Sequence, residues 1–123
     1  MVILKLLVFC LILVFHLLND YTRINKDLKI NHIITSFVRI VIFIICSYAE
    51  SKSFIIGLQW FINLNLFYWL WFDLLLNYLR NKPINYIGKE AFTDKLLRLL
   101  KIKNITIFKI ILILITNIIF LFI

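Results

Sequence analysis

Apolar positions fall in four long, continuous runs, at 1–18, 33–49, 54–79 and 105–123, and polar residues concentrate between them. A helix needs about 20 mostly apolar residues to cross roughly 30 Å of hydrocarbon. The four runs meet or approach that length, the second at the short end and the third long enough to tilt or to extend into the interface. The runs do not alternate, so they are not barrel strands, and an open sheet has no place in lipid. The pattern predicts an all-α integral membrane protein: a single membrane domain over 1–123 with four transmembrane helices. The first run, behind Lys5, has the layout of a signal peptide. It ends in Phe15, His16, Leu17, Leu18, Asn19 and Asp20 with no small-residue cleavage site, and is read as a retained helix.

The third span is patterned internally. Gln59, Asn63, Leu66, Leu70, Asp73, Asn77 and Arg80 follow alternating steps of four and three, which keeps them on one helical face. Off this stripe lie Trp60, Phe61, Phe67, Tyr68, Trp69, Trp71 and Phe72. The reading is a polar seam with an aromatic back. The seam is expected to face protein or trapped water, because an unsatisfied polar group in hydrocarbon is costly.

After the third span the pattern breaks. Pro83 has no donor with which to continue a helix, and Gly88 can supply a positive φ, so Pro83, Tyr86, Gly88 and Lys89 mark a cytoplasmic turn. Thr93 or Asp94 can cap a short interfacial amphipathic helix between the third and fourth spans, in which Lys95, Arg98 and Lys101 form a stripe for lipid headgroups. A weaker pattern of Tyr21, Ile24 and Leu28 is expected to be interfacial or to prolong the second span inward.

Composition agrees with this class. Hydrophobic residues make up 63% of the chain, and it has two Gly and one Pro, more apolar surface than a water-soluble domain of this size could hide. Of 14 Lys and Arg, loop 19–32 carries Arg23, Lys26 and Lys29, and loop 80–104 carries Arg80, Lys82, Lys89, Lys95, Arg98, Lys101 and Lys103. Both loops share a side if there are four spans, so charge and span count agree, with both termini outside and the basic loops cytoplasmic. The expected location is a bacterial cytoplasmic membrane, with a mitochondrial inner membrane as the alternative. The net charge of +8 is assigned to anionic headgroups, which attract juxtamembrane cations by about 1 kcal/mol each, and not to nucleic acid.

Arg39 and Asp73 are the ionisable residues well inside spans. Each lies six residues from its cytoplasmic boundary, roughly 9 Å at about 1.5 Å per residue. An Arg39–Asp73 ion pair, offsetting the cost of burying both charges, is expected; Arg80 is the alternative partner of Asp73, and a proton- or ion-linked carboxylate is the functional alternative. Lys5 and Lys109 can snorkel to the two interfaces, and Asn117 can reach Asn63 or Asn65. Cys10 and Cys46 differ in depth and read as free thiols. No nucleophile–base pair, cofactor motif or metal-ligand spacing is evident, so no enzyme activity and no cofactor are expected.

The run Phe72-Asp73, Asn77, Arg80, Pro83, Tyr86-Ile87-Gly88-Lys89 and Asp94 resembles a segment that recurs in small membrane proteins of tailed phages and prophages. The resemblance spans positions 72–98 and implies no known activity. It does imply that the bend from the seam into the turn has a job, docking another protein or lipid headgroups. The expectation is a non-enzymatic, phage-encoded protein that organises or modifies a host membrane through protein contacts, its partners being the bilayer and its anionic headgroups and its own copies or another membrane protein. The alternatives are a holin-like lesion former, or a small transporter or organelle-encoded complex subunit.

Overall fold

The computed structural model describes residues 2–26, 28, 32–49, 51–88 and 92–123. Lys29 and Lys89, both used in the reading above, lie outside the described residues. The described residues form five helices and no strand: α1 (Val2–Asn25), α2 (His32–Tyr48), α3 (Phe54–Leu79), α4 (Phe92–Leu99) and α5 (Ile105–Leu121). Two of them, α1 and α3, are long and apolar enough to cross a membrane, while α2 and α5 are shorter apolar helices.

The helix α1 runs past the end of its apolar run. Nothing between Leu18 and Asn25 breaks a helix, and the polar residues there support one: Thr22 Oγ1 donates to the carbonyls of Leu18 and Asn19, and Arg23 Nε donates to Asn19 Oδ1 one turn back. Tyr21 and Ile24 therefore prolong α1, correcting the expectation that they extend the second span. Polarity ends the apolar run without ending the helix.

The central helix is α3, which packs against α1, α2 and α5, while α1 also packs on α2. α2 and α5 run antiparallel to α3, and α1 runs parallel to it, with Lys5 at Trp60 and His16 at Tyr68. At one end Lys5 of α1 lies over the ring of Trp60, and Tyr48 of α2 covers Gly57 of α3; at the other, Lys109 of α5 meets Asp73. The first may be called the Gly57 end and the second the Asp73 end. A Cβ on Gly57 would run into the Tyr48 ring, so this glycine allows the close approach of α2 to α3.

Three helices share one apolar core, made of Phe9, Ile12 and Leu13 from α1, Phe43 from α2, and Leu64 and Tyr68 from α3. Phe9 stacks on Phe43 at 6.2 Å between ring centres, and Phe43 meets Tyr68 edge-on at 6.0 Å. The fourth long helix, α5, has a different interface: Ile105, Lys109 and Ile113 are buried at steps of four, with Asn117 next in the series, and this stripe lies on α3. The aromatic back of α3 thus divides. Tyr68, Phe61 and Phe72 pack into the α1–α2 core, while Phe67 and Trp71 face outward. Cys10 and Cys46 are both free.

Candidate functional site

The polar seam of α3 is the α5 interface. Near the Gly57 end, Asn63 and Asn117 form a reciprocal amide pair: Asn63 Nδ2 donates to Asn117 Oδ1 at 3.1 Å, and Asn117 Nδ2 donates to Asn63 Oδ1 at 2.9 Å. Near the other end Lys109 Nζ donates to the Asp73 carboxylate and, at 3.2 Å, to the Trp69 carbonyl, with the Trp69 ring centre 4.4 Å away. Between them Leu70 is buried; Gln59, at the start of the seam, is half-buried. Each polar seam residue that bonds does so within the chain, which removes the penalty of leaving it bare.

The partner of Asp73 is therefore Lys109, which corrects the expected Arg39–Asp73 pair. The guanidinium carbon of Arg39 lies 4.4 Å from the ring centre of Tyr68, and Arg39 Nε has no hydrogen-bond partner among the described residues. The reason is azimuth. Tyr68 and Asp73 are five residues apart, roughly 140° around the helix, so a side chain from α2 reaches the aromatic side of α3 and not its seam. Depth alone could not separate the two. Tyr68 also holds α1, since its hydroxyl lies 2.9 Å from His16 Nδ1. Lys109 does not snorkel: it is 2% exposed, against 31% for Asp73. Lys5 too is buried, over Trp60.

At the Asp73 end the chain leaves α3 through a left-handed cap. Asn81 has φ 52°, its N–H bonds to the Tyr78 carbonyl, and Lys82 N–H bonds to the Asn77 carbonyl at 2.9 Å. This is the Schellman pattern, with Pro83 following it. Gly88 does not take a positive φ; the left-handed residues are Asn81 and Lys101. What Gly88 provides is space, because a Cβ there would collide with the Asp94 carboxylate.

The turn 81–88 is fastened to three helices by one side chain each. From α3, buried Asn77 donates through Nδ2 to the carbonyls of Ile84 at 3.2 Å and Tyr86 at 3.0 Å. For α5, Asn85 Oδ1 accepts from Thr106 N at 3.2 Å and Thr106 Oγ1 at 3.0 Å. From α4, Arg98 Nη2 donates to the carbonyls of Ile87, at 3.0 Å, and Gly88. Pro83 is exposed, and its carbonyl accepts from Tyr86 N at 2.8 Å. Beneath lies a crevice lined by Leu70, Asp73, Ile84, Tyr86, Thr106 and Lys109, with about 10 Å³ of room, about enough for one water.

The short helix α4 is divided. Leu97 is buried and Asp94 half-buried, and Arg98, though exposed, bonds to the turn; Phe92, Leu96 and Leu99 are exposed on the helix with Lys95, and Leu100, Lys101 and Lys103 are exposed just after it. Thr93 and Asp94 lie inside the first turn and are not its cap. The expected stripe of Lys95, Arg98 and Lys101 is thus split, with Arg98 spent on the turn. Burial, and then the negative charge of Asp73, push the Asp94 carboxyl above its ordinary range, against the opposing pull of Lys109, His32 and Arg98. The sequence reading missed the roles of Lys109 and Asn85. The spacing by fours of Ile105, Lys109, Ile113 and Asn117 was a signal for the first, and no local pattern marks the second.

Comparison with protein-family models, with curated proteins and with solved structures gave no match.

Proposed function

We propose that this chain is a four-span integral membrane protein without catalytic function, which anchors a basic, amphipathic platform, the turn and α4, in the cytoplasmic headgroup layer and organises the lipid around it. The observation that carries the reading is the division of α4. Leu97 is buried and Arg98 bonds to the turn, while Phe92, Leu96, Leu99 and Leu100 stay exposed together with Lys95, Lys101 and Lys103. In water that surface has no use; at a membrane its apolar side chains enter the acyl boundary while the lysines meet anionic headgroups.

Four spans are supported by the way the helices lie together. Two are long enough to cross by themselves. The 17-residue helices α2 and α5 pack beside α3, and 17 residues is at the lower limit for crossing, which local thinning of the bilayer accommodates. The outward positions of α5, such as Ile107, Ile111, Leu114 and Ile118, are apolar. A lesion-forming role is disfavoured, because lining a pore with the seam would first break the Asn63–Asn117 and Lys109–Asp73 contacts.

The test is reconstitution. Electron paramagnetic resonance with spin-labelled lipids is expected to find phosphatidylglycerol preferred over phosphatidylcholine around the protein. The preference should shrink when Lys95, Lys101 and Lys103 are replaced together by Gln, and the vesicles should retain trapped dye. Equal selectivity for both lipids would overturn the platform, and rapid dye release would favour the lesion former.

A further inference from the structure

Arg80 and Lys82 both approach the same aromatic ring. The guanidinium carbon of Arg80 lies 5.5 Å from the ring centre of Tyr86, and Lys82 Nζ lies 5.6 Å from it. Among the described residues neither cation meets a carboxylate. Attraction to the negative ring face holds each in place, but it does not cancel their mutual repulsion, so the pair is left as a concentrated positive charge.

The backbone beneath is fixed. Arg80 caps α3, Lys82 closes the Schellman cap, and Tyr86 is held through its own carbonyl by Asn77 and through its N–H by the Pro83 carbonyl. Three side chains from seven consecutive positions, 80–86, therefore meet at one ring on a backbone that needs no ordering when a ligand arrives. The ion pair beneath Tyr86, Lys109–Asp73, is neutral as a unit and does not repel an anion.

We infer that Arg80 and Lys82, presented by Tyr86, form a discrete binding site for the phosphate of an anionic lipid headgroup. A phosphate offers oxygens to both the planar guanidinium fork and the ammonium, and a tyrosine at a helix end belongs at headgroup level. The site is separate from the lysines of α4. It rests on the reading that the Asp73 end faces a lipid leaflet, and it adds to that general attraction one particular bound lipid.

Native mass spectrometry of the full chain, titrated with phosphatidylglycerol in mild detergent, tests it. One lipid per chain is expected to bind more tightly than the rest. The double variant Arg80→Gln/Lys82→Gln should weaken it about a hundredfold, two charge-assisted contacts being lost. Tyr86→Leu, which keeps both charges but removes the ring, should weaken it about tenfold. Lys52→Gln, at the Gly57 end, should change nothing. Circular dichroism identical to the parent's is the control for folding. Unaltered binding in both Arg80→Gln/Lys82→Gln and Tyr86→Leu would overturn the site, as would displacement of the lipid by equimolar inorganic phosphate, which would make the ligand a soluble phosphate. The spin-label preference distinguishes the two levels: if it persists while these variants bind normally, only this site is wrong, and if it is absent, the platform fails with it.

Discussion

The residue that governs the α3–α5 contact is Lys109, whose burial is tolerable only because Asp73 and the Trp69 carbonyl receive it. Removing one partner of a buried pair leaves an uncompensated charge, at a cost on the order of 3–5 kcal/mol, whereas removing both can be close to neutral. Asp73→Leu strands an ammonium that is 2% exposed, and Lys109→Met strands a carboxylate that is 31% exposed and lines a crevice with room for about one water. In bicelle unfolding measurements Asp73→Leu should therefore be the worse single change. The double variant should return to within about 1 kcal/mol of the parent, and simple addition of the two losses would refute the pairing. At Gly88, replacement by Ala should cost little, because the new methyl meets only the far end of the Asp94 side chain, which can swing aside. The sequence led to the expectation of a cationic partner for Asp73, since a bare carboxylate in a span is costly. It did not show which one, because depth is legible from residue spacing and the rotational setting of one helix against another is not.

Among the elements, α4 is the most open to manipulation. Lys101 is left-handed, with φ 54°, and ends the helix in a Schellman pattern with Lys101 N–H on the Arg98 carbonyl and Ile102 N–H on the Leu97 carbonyl. Such a residue pays about 1 kcal/mol that glycine avoids. Lys101→Gly should therefore raise the thermal stability of α4 by about that amount while weakening its attraction to anionic vesicles, a split that mere loss of folding could not produce. Asp94 makes α4 sensitive to pH. Its folded-state pKa lies above its ordinary value, so the folded chain holds the proton more tightly. The stabilisation this gives is fully present below the ordinary carboxylate range and is lost as pH rises through the raised value. Amide exchange in α4 should be slower under acid than at neutral pH once intrinsic rates are removed, and Asp94→Asn should abolish the difference. The bounds of α3 were legible from its apolar run and from Pro83 beyond its end, and Ser53 caps its start in the structure, whereas the end of α1 was not, because polarity and helix termination were taken as one signal.

At the scale of the molecule, α1, α2 and α3 share an apolar core, and α5 is joined to α3 by the polar seam. The periodicity of α3 foretold a face that needs protein, and the amide pair supplies it. Asn117→Leu should weaken α5 docking by about 0.6–2 kcal/mol, read as increased proteolysis between α4 and α5. The account as a whole depends on the chain crossing a bilayer four times with its basic loops on one side, and cysteine accessibility tests that most directly. In a chain with Cys10 and Cys46 replaced by Ser, single cysteines are placed at Lys26, Lys52 and Lys101, and intact spheroplasts are treated with a membrane-impermeant maleimide. The account predicts that only Lys52→Cys is labelled until the membrane is permeabilised, when Lys26→Cys and Lys101→Cys react together. Labelling of Lys26→Cys and Lys101→Cys from opposite sides would contradict it.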